Sequence, residues 1–380
     1  MTKKEKLFFE LLQVAIGSRS QLSAVPTKDE WTALLDIAVK QSLAGISFVG
    51  VEKLPKEQWP EKEVVFQWMA ITAQIEQRNI QTTDVCQQLV KLFEEEGVKT
   101  CILKGQANYA YYPKDLKNRR TCGDVDIWVK PKDDSCKHPV KEVLEYLNSK
   151  NLIESLCYLH AEIKPVNGVP VELHFRPSFM NEPRHNSRLM NRFADFDQCV
   201  CIKDIDGVKL PVLKTEYDVI FQLCHLYRHL IDEGVGLRQM LDYYFVLRQM
   251  EAPLRLPLYK GRDLGETLKY LGLWKFSGAV MYVMREVFGL EERYMICEAS
   301  EKDGRFLLEE IMLAGNFGQS DPRMAHLQYE KGKTSFQVKR AWRRIKRNSR
   351  FFMSYPSEVI WEPIARIEHL AWRKYKLWNY

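Results

Sequence analysis

The sequence predicts an α+β chain in which a small sheet is held between two helical regions. Three observations predict it. Helix-period runs fill residues 1 to about 97 and resume from about residue 213, strand-like runs cluster between residues 98 and 212, and in that cluster Gly123-Asp124-Val125-Asp126-Ile127-Trp128-Val129 alternates carboxylates with apolar residues. Side chains in a strand point to alternate faces, so Asp124 and Asp126 project together while Val125, Ile127 and Val129 point into the protein. Two like charges so close repel unless a cation lies between them, an arrangement that suits hard divalent metals.

In the first region, helical periodicity runs from about Lys4 to Ile16, Lys28 to Gln41 and Lys62 to Glu96, with a proline-bearing loop from Leu54 to Pro60. The opening run reads as an amphipathic helix rather than a signal peptide, because Glu10 and Gln13 interrupt its apolar residues. In the central region, Val98 to Leu103 reads as a buried strand that runs into Lys104-Gly105, with a helical stretch from Gln106 to Tyr112. A glycine there lets backbone N–H groups approach a phosphate. A helix is expected around Val140 to Lys150. Asn167-Gly168 then turns a hairpin between residues 161–165 and 170–175, and Asp206-Gly207 turns a second one from Cys199 to Leu210. Glu172 and His174 share one strand face; His174 either assists an acceptor or is a hydrogen-bonded strand histidine.

The order Leu103-Lys104-Gly105, Arg120, Gly123-Asp124-Val125-Asp126 and Glu172-Leu173-His174 resembles the nucleotidyltransferase fold of the polymerase-β type. More narrowly, it resembles the bacterial family of uncharacterised nucleotidyltransferases, and the resemblance continues through His225, His229 and Gly234 to Asp242. It implies a small mixed sheet of nucleotidyltransferase type. It also implies Mg²⁺ or Mn²⁺ on Asp124 and Asp126, with Glu172 as third ligand or as base for the acceptor, and Lys104 and Gly105 facing the triphosphate of ATP or another NTP. Gly105 is followed by Gln106 where the superfamily usually has serine. Of the neighbouring arginines Arg119 and Arg120, the second stands where the family's arginine stands, and its planar fork suits phosphate oxygens. Arg238, Gln239 and Asp242 fall in the family's later motif and join the nucleotide-binding candidates; Arg238 and Asp242 lie one helical turn apart and form a possible ion pair.

The third region, 213–380, begins with a helix that opens at Thr215 and turns Tyr217, Ile220, Phe221, Cys224 and Tyr227 inward. Asp218, Gln222, His225 and His229 fall on its other face, which is either a polar lining for nucleotide or acceptor or a solvated surface. His225 and His229 have metal-ligand spacing without an obvious third ligand nearby. Breaks are expected at Gly234 to Gly236, Pro253 to Pro257 and Gly315 to Gly318. Between Lys331 and Arg350 stand nine Lys or Arg and no acidic residue, with Val338, Trp342, Ile345 and Phe352 at helical spacing. That segment reads as a core-facing helix with a basic outer side, as a membrane-surface helix, or as a nucleic-acid contact.

The composition, 46% hydrophobic and 28% charged with a net charge of +6, is that of an ordinary globular protein. Nine scattered cysteines without a Cys-x-x-Cys read as reduced cytoplasmic thiols rather than a disulfide framework. No run is long enough to span a bilayer. The expected location is cytoplasmic, with peripheral attachment to the inner membrane face through the basic segment as an option. Two functions compete. One is a metal-dependent nucleotidyltransferase that moves an NMP from an NTP to a sugar, small-molecule, protein or RNA acceptor with release of pyrophosphate. The other is an inactive module of the same fold that binds nucleotide, RNA or membrane.

Overall fold

The alternating run around Asp126 forms a strand, and its neighbours complete a seven-stranded mixed sheet. The computed structural model describes residues 1–133, 135–250, 261–323 and 334–376. Helices α1 (Lys3–Ala15), α2 (Lys28–Lys40), α3 (Ala44–Lys53) and α4 (Lys62–Glu95) lead to strand β1 (Val98–Ile102), short helix α5 (Lys114–Lys117) and β2 (Val125–Pro131). Then come α6 (Pro139–Ser149), β3 (Ile153–Leu156), β4 (His160–Val166), β5 (Val169–His174), α7 (Pro183–Arg192), α8 (Phe196–Cys199), β6 (Val200–Ile205) and β7 (Val208–Leu213). The α-helices that follow among the described residues are α9 (Thr215–Asp232), α10 (Leu237–Leu247), α11 (Leu264–Tyr270), α12 (Trp274–Phe288), α13 (Glu301–Ala314), α14 (Thr334–Phe351) and α15 (Pro356–Lys374). No helix among the described residues is long and apolar enough to cross a membrane.

Two units emerge, each drawn from three segments. One comprises Met1–Glu76, Pro113–Thr121 and His225–Ile360; the other comprises Gln77–Tyr112, Cys122–Cys224 and Trp361–Tyr380.

The second unit carries the sheet, in the order β3-β4-β5-β2-β1-β7-β6. Strand β2 lies antiparallel to β1 and parallel to β5. Val125, Ile127 and Val129 of β2 and Val171 and Leu173 of β5 bury one face against Leu89 and Phe93 of α4 and Leu144 and Leu147 of α6. Each such fully buried aliphatic or aromatic side chain contributes roughly 1.5–3 kcal/mol. On the opposite face Trp128 packs on Phe196 and Phe193, with ring centroids 4.5 and 6.3 Å away. The β4–β5 hairpin turns as expected at Asn167-Gly168, both with positive φ (50° and 73°). Arg78 and Gln81 of α4 donate hydrogen bonds to the carbonyls of Gly168 and Asn167, which fixes the turn.

Beyond that turn the hairpin is irregular. A register shift between Ile163 and Val166 gives β4 one extra residue, at Lys164-Pro165, and proline lacks the N–H that a regular ladder needs. A one-residue slip exchanges strand faces. His160 is thereby paired with His174 and Glu162 with Glu172, while Ala161 and Ile163 enter the core.

The first unit is built from helices with strong starts. Thr2 with Glu5 and Thr27 with Glu30 form capping boxes that open α1 and α2. Helix α3 was not apparent from periodicity, because nearly every side of Ala44 to Val51 is buried. Gly45 and Gly50 allow close packing there, since a Cβ on Gly45 would stand 2.3 Å from the Arg119 carbonyl oxygen.

Two expectations need correction, and for two segments one of the open readings is excluded. The stretch expected as a helix after Lys104 is a 3₁₀ helix, Gly105–Ala110. Asp124 sits just ahead of β2 rather than within it. The polar face of α9 is not solvated, for Asp218, Gln222, His225 and His229 are all buried. In α14 the described residues read as its apolar stripe do not face a core: Trp342 is 67% and Ile345 59% exposed, whereas Arg347, Asn348 and the neighbouring Phe351 are buried. The Arg347 guanidinium donates to the Leu230 and Glu233 carbonyls at 2.8 and 2.7 Å, so it serves the carbonyl-rich end of α9. The break at Pro253 to Pro257, and the side chains of Val338 and of the first lysines of the basic segment, lie outside the described residues.

Candidate active site

Backbone pairing brings the first charges together. The Leu103 N–H donates to the Asp126 carbonyl at 3.0 Å, so the chain leaving β1 sets Lys104 beside β2, with its Nζ 3.0 Å from Asp126 Oδ1. The parallel β2–β5 register pairs Asp126 with Glu172. Oxygen atoms of Asp124, Asp126 and Glu172 lie within 4.8 Å of one another. His174 follows two residues after Glu172 on the same face. Its Nε2 is 3.0 Å from Asp126 Oδ1 and 3.2 Å from Glu172 Oε2. His160 completes the group from β4, with Nδ1 3.2 Å from the same Glu172 oxygen.

The cluster alternates charge. Burial alone would raise the Glu172 carboxyl, but the His174 hydrogen bond and the charges of Lys104, His174 and His160 outweigh it and hold it down at about 2. Asp126, only 1% exposed, is treated alike: burial pushes its carboxyl up, and Lys104 and His174 bring it below its ordinary value. Burial pulls the Lys104 ammonium down, but Asp126, Asp124 and Glu172 together raise it. His174 is likewise raised, because hydrogen bonds to Asp126 and Glu172 overcome its desolvation. Asp126 and Glu172 are therefore held toward their ionised forms, and the same hydrogen bonds favour the protonated, donating form of His174.

Gly105 follows Lys104 with a φ of +64°, in the left-handed region that disfavours side chains. A Cβ there would meet the Asp124 carbonyl oxygen at an ordinary 3.7 Å, so the constraint is conformational. Three carboxylates on one point form an oxygen donor set that fits a hard divalent cation, with Asp124, Asp126 and Glu172 as its holders. His160 was missed in the sequence. A regular hairpin counted back from Asn167-Gly168 points it to the other face, and only the extra residue at Lys164-Pro165 gives a reason to look for it.

The remaining candidates belong to the helical unit. Arg120 forms a buried bidentate pair with Asp242, Nε to Oδ1 at 2.6 Å and Nη2 to Oδ2 at 2.7 Å. Arg119 pairs with Glu52 and Glu76. Gln239 accepts the Gly236 N–H at 2.7 Å and so caps α10. Arg238 reaches the Thr121 carbonyl at 3.4 Å. The His225 and His229 rings meet edge-on at 4.1 Å, and His229 Nδ1 is 2.5 Å from Glu233 Oε1. Among the described residues, the groups able to share a metal ion are Asp124-Asp126-Glu172 and His160-Glu172-His174, and neither includes these two histidines.

No curated protein matches the chain significantly. Among solved structures the chain is similar to an antigenic nucleotidyltransferase-like protein from Paracoccidioides brasiliensis, with 14% identity and a TM-score of 0.37 over 59% of this chain and 96% of that one. The family described as uncharacterised nucleotidyltransferase matches residues 27–289, a span that contains the carboxylate cluster, Lys104, Arg120 and Asp242, and the chain belongs to that family.

Proposed function

We propose that the protein transfers a nucleoside monophosphate from an NTP to an acceptor hydroxyl and releases pyrophosphate, using Asp124, Asp126 and Glu172 to hold a divalent cation. The observation that supports this most is the meeting of three carboxylates within 4.8 Å beside Lys104, in a chain of nucleotidyltransferase family. In the reaction the acceptor oxygen forms a bond to the α-phosphorus as the bond to the pyrophosphate oxygen breaks, and the acceptor proton leaves to solvent. A bound cation such as Mg²⁺ supplies Lewis-acid stabilisation of the phosphate oxygens.

The protein's own groups have distinct tasks. Lys104 is held cationic and offers its ammonium to the triphosphate, and the open backbone at Gly105 lets the phosphates come close. Glu172, ionised far below neutrality, acts as a ligand rather than a base. His174 donates hydrogen bonds and fixes the orientation of Asp126 and Glu172. Arg120 and Asp242 are committed to each other and Gln239 to its helix start, so the proposal gives them structural roles. Pyrophosphate release from each of the four NTPs, with Mg²⁺ or Mn²⁺ and fractionated cell extract as acceptor source, tests the reading. Asp126→Asn is expected to lower release by about 100-fold or more. Equal release by wild type and variant would refute it.

A further inference from the structure

A second group of metal-ligand atoms, His160, Glu172 and His174, stands beside the all-oxygen cluster and shares Glu172 with it. Its donors differ in kind. His174 Nε2 and His160 Nδ1 both approach Glu172 Oε2 at 3.2 Å, and the two imidazole rings lie 5.0 Å apart. The His160 Nδ1 atom is covered from solvent and makes no hydrogen bond of good geometry, although a carboxylate oxygen stands 3.2 Å away. Buried polar atoms are rarely left in that condition without a ligand or ion to engage them. His160 is also held in place, since its carbonyl accepts the Cys157 N–H at 2.9 Å and its own N–H donates to Cys157 Sγ at 3.4 Å. The bulge at Lys164-Pro165 is what turns it to this face.

We propose that His160, Glu172 and His174 form a second cation site, selective for a borderline first-row divalent ion such as Zn²⁺ or Mn²⁺ over Mg²⁺. Two imidazole nitrogens and one carboxylate suit such ions and leave positions open for water or substrate, whereas Mg²⁺ prefers oxygen donors alone. The shared Glu172 makes this site the neighbour of the hard-cation site; an ion here takes the place of the Nε2 proton through which His174 bonds Asp126 and Glu172 in the metal-free protein, releasing that proton, and the site requires no catalytic turnover.

The test uses chelator-stripped full-length protein. Pulsed electron paramagnetic resonance of bound Mn²⁺ is expected to show directly coordinated imidazole nitrogen in the wild type and in Asp124→Asn, and a weakened nitrogen signal in His160→Gln. Calorimetric titration with Zn²⁺ is expected to show binding weakened about tenfold or more in His160→Gln, with Mg²⁺ binding changed less than about twofold because its oxygen ligands remain. Absence of nitrogen coupling in the wild type would overturn the site, as would equal Zn²⁺ affinity in wild type and a His160→Gln protein with native circular dichroism. The wild-type spectrum decides even if the variant does not fold. Nitrogen coupling in a protein that releases no pyrophosphate would uphold this site and reject the proposed function.

Discussion

Removing the Asp242 carboxylate while leaving Arg120 in place should be among the most damaging single changes in the helical unit. Arg120 is 1% and Asp242 5% exposed, and two parallel hydrogen bonds of 2.6 and 2.7 Å join them. Deleting one partner leaves a buried guanidinium uncompensated, at a cost of about 3–5 kcal/mol, whereas replacing both with apolar groups of similar volume is often near neutral. At roughly 2–4 °C per kcal/mol for a unit of this size, Asp242→Leu should lower the unfolding midpoint by about 6–20 °C. The double variant Arg120→Met/Asp242→Leu should recover most of that loss. Urea unfolding of wild type, both single variants and the double variant gives the coupling directly. A loss below about 1 kcal/mol in Asp242→Leu, or a double variant as unstable as the sum of the singles, would refute the structural role of the pair. A double variant that regains stability but not transfer activity would instead return Arg120 to the phosphate.

Three further outcomes are expected. In Gly105→Ala the left-handed backbone should cost about 1–2 kcal/mol, with no steric clash to add to it, and a measured loss near zero in thermal unfolding would argue against the observed φ. In metal-free protein, Glu172 has a folded pKa of about 2 against an ordinary 4.5, so its stabilisation is complete above pH 4.5 and lost as pH falls toward 2; His174, raised above 6.5, stabilises fully below pH 6.5 and loses that contribution as pH rises through its folded value. Unfolding midpoints across pH should therefore fall at both ends, Glu172→Gln removing the acid limb and His174→Gln the alkaline one; unaltered profiles would contradict the charge alternation. Trp342→Ala, at an exposed position, should change stability by no more than about 0.5 kcal/mol, and a larger loss would mean that the Trp342 side chain is buried after all.

The strands of the site were legible because alternation and turn chemistry act locally. Val125 to Val129 and the Asn167-Gly168 and Asp206-Gly207 hairpins depend on neighbours in sequence, and so does the helical periodicity of α1 and α2. The carboxylates could be read from the same pattern, since pairing of Asp126 with Glu172 requires only that their strands be adjacent. What was hidden depends on distant partners. His160 reaches its face through a single inserted residue. Helix α3 is buried on nearly all sides and has no polar stripe to reveal its period. The inverted face of α14 follows from Arg347 satisfying carbonyls at the end of α9, more than a hundred residues earlier in the chain. Likewise, Arg120 finds Asp242 across a separation of 122 residues, which no local pattern encodes.

The most direct test of nucleotidyl transfer compares NTPs labelled at the α-phosphate with NTPs labelled at the γ-phosphate, in cell extract with Mg²⁺ or Mn²⁺, for wild type and Asp124→Asn/Asp126→Asn. Incorporation of α-label without γ-label, by wild type alone, is the predicted result and identifies the acceptor fraction. No α-label transfer by wild type, with nucleotide bound equally by both proteins, would contradict the account and leave a binding module in its place.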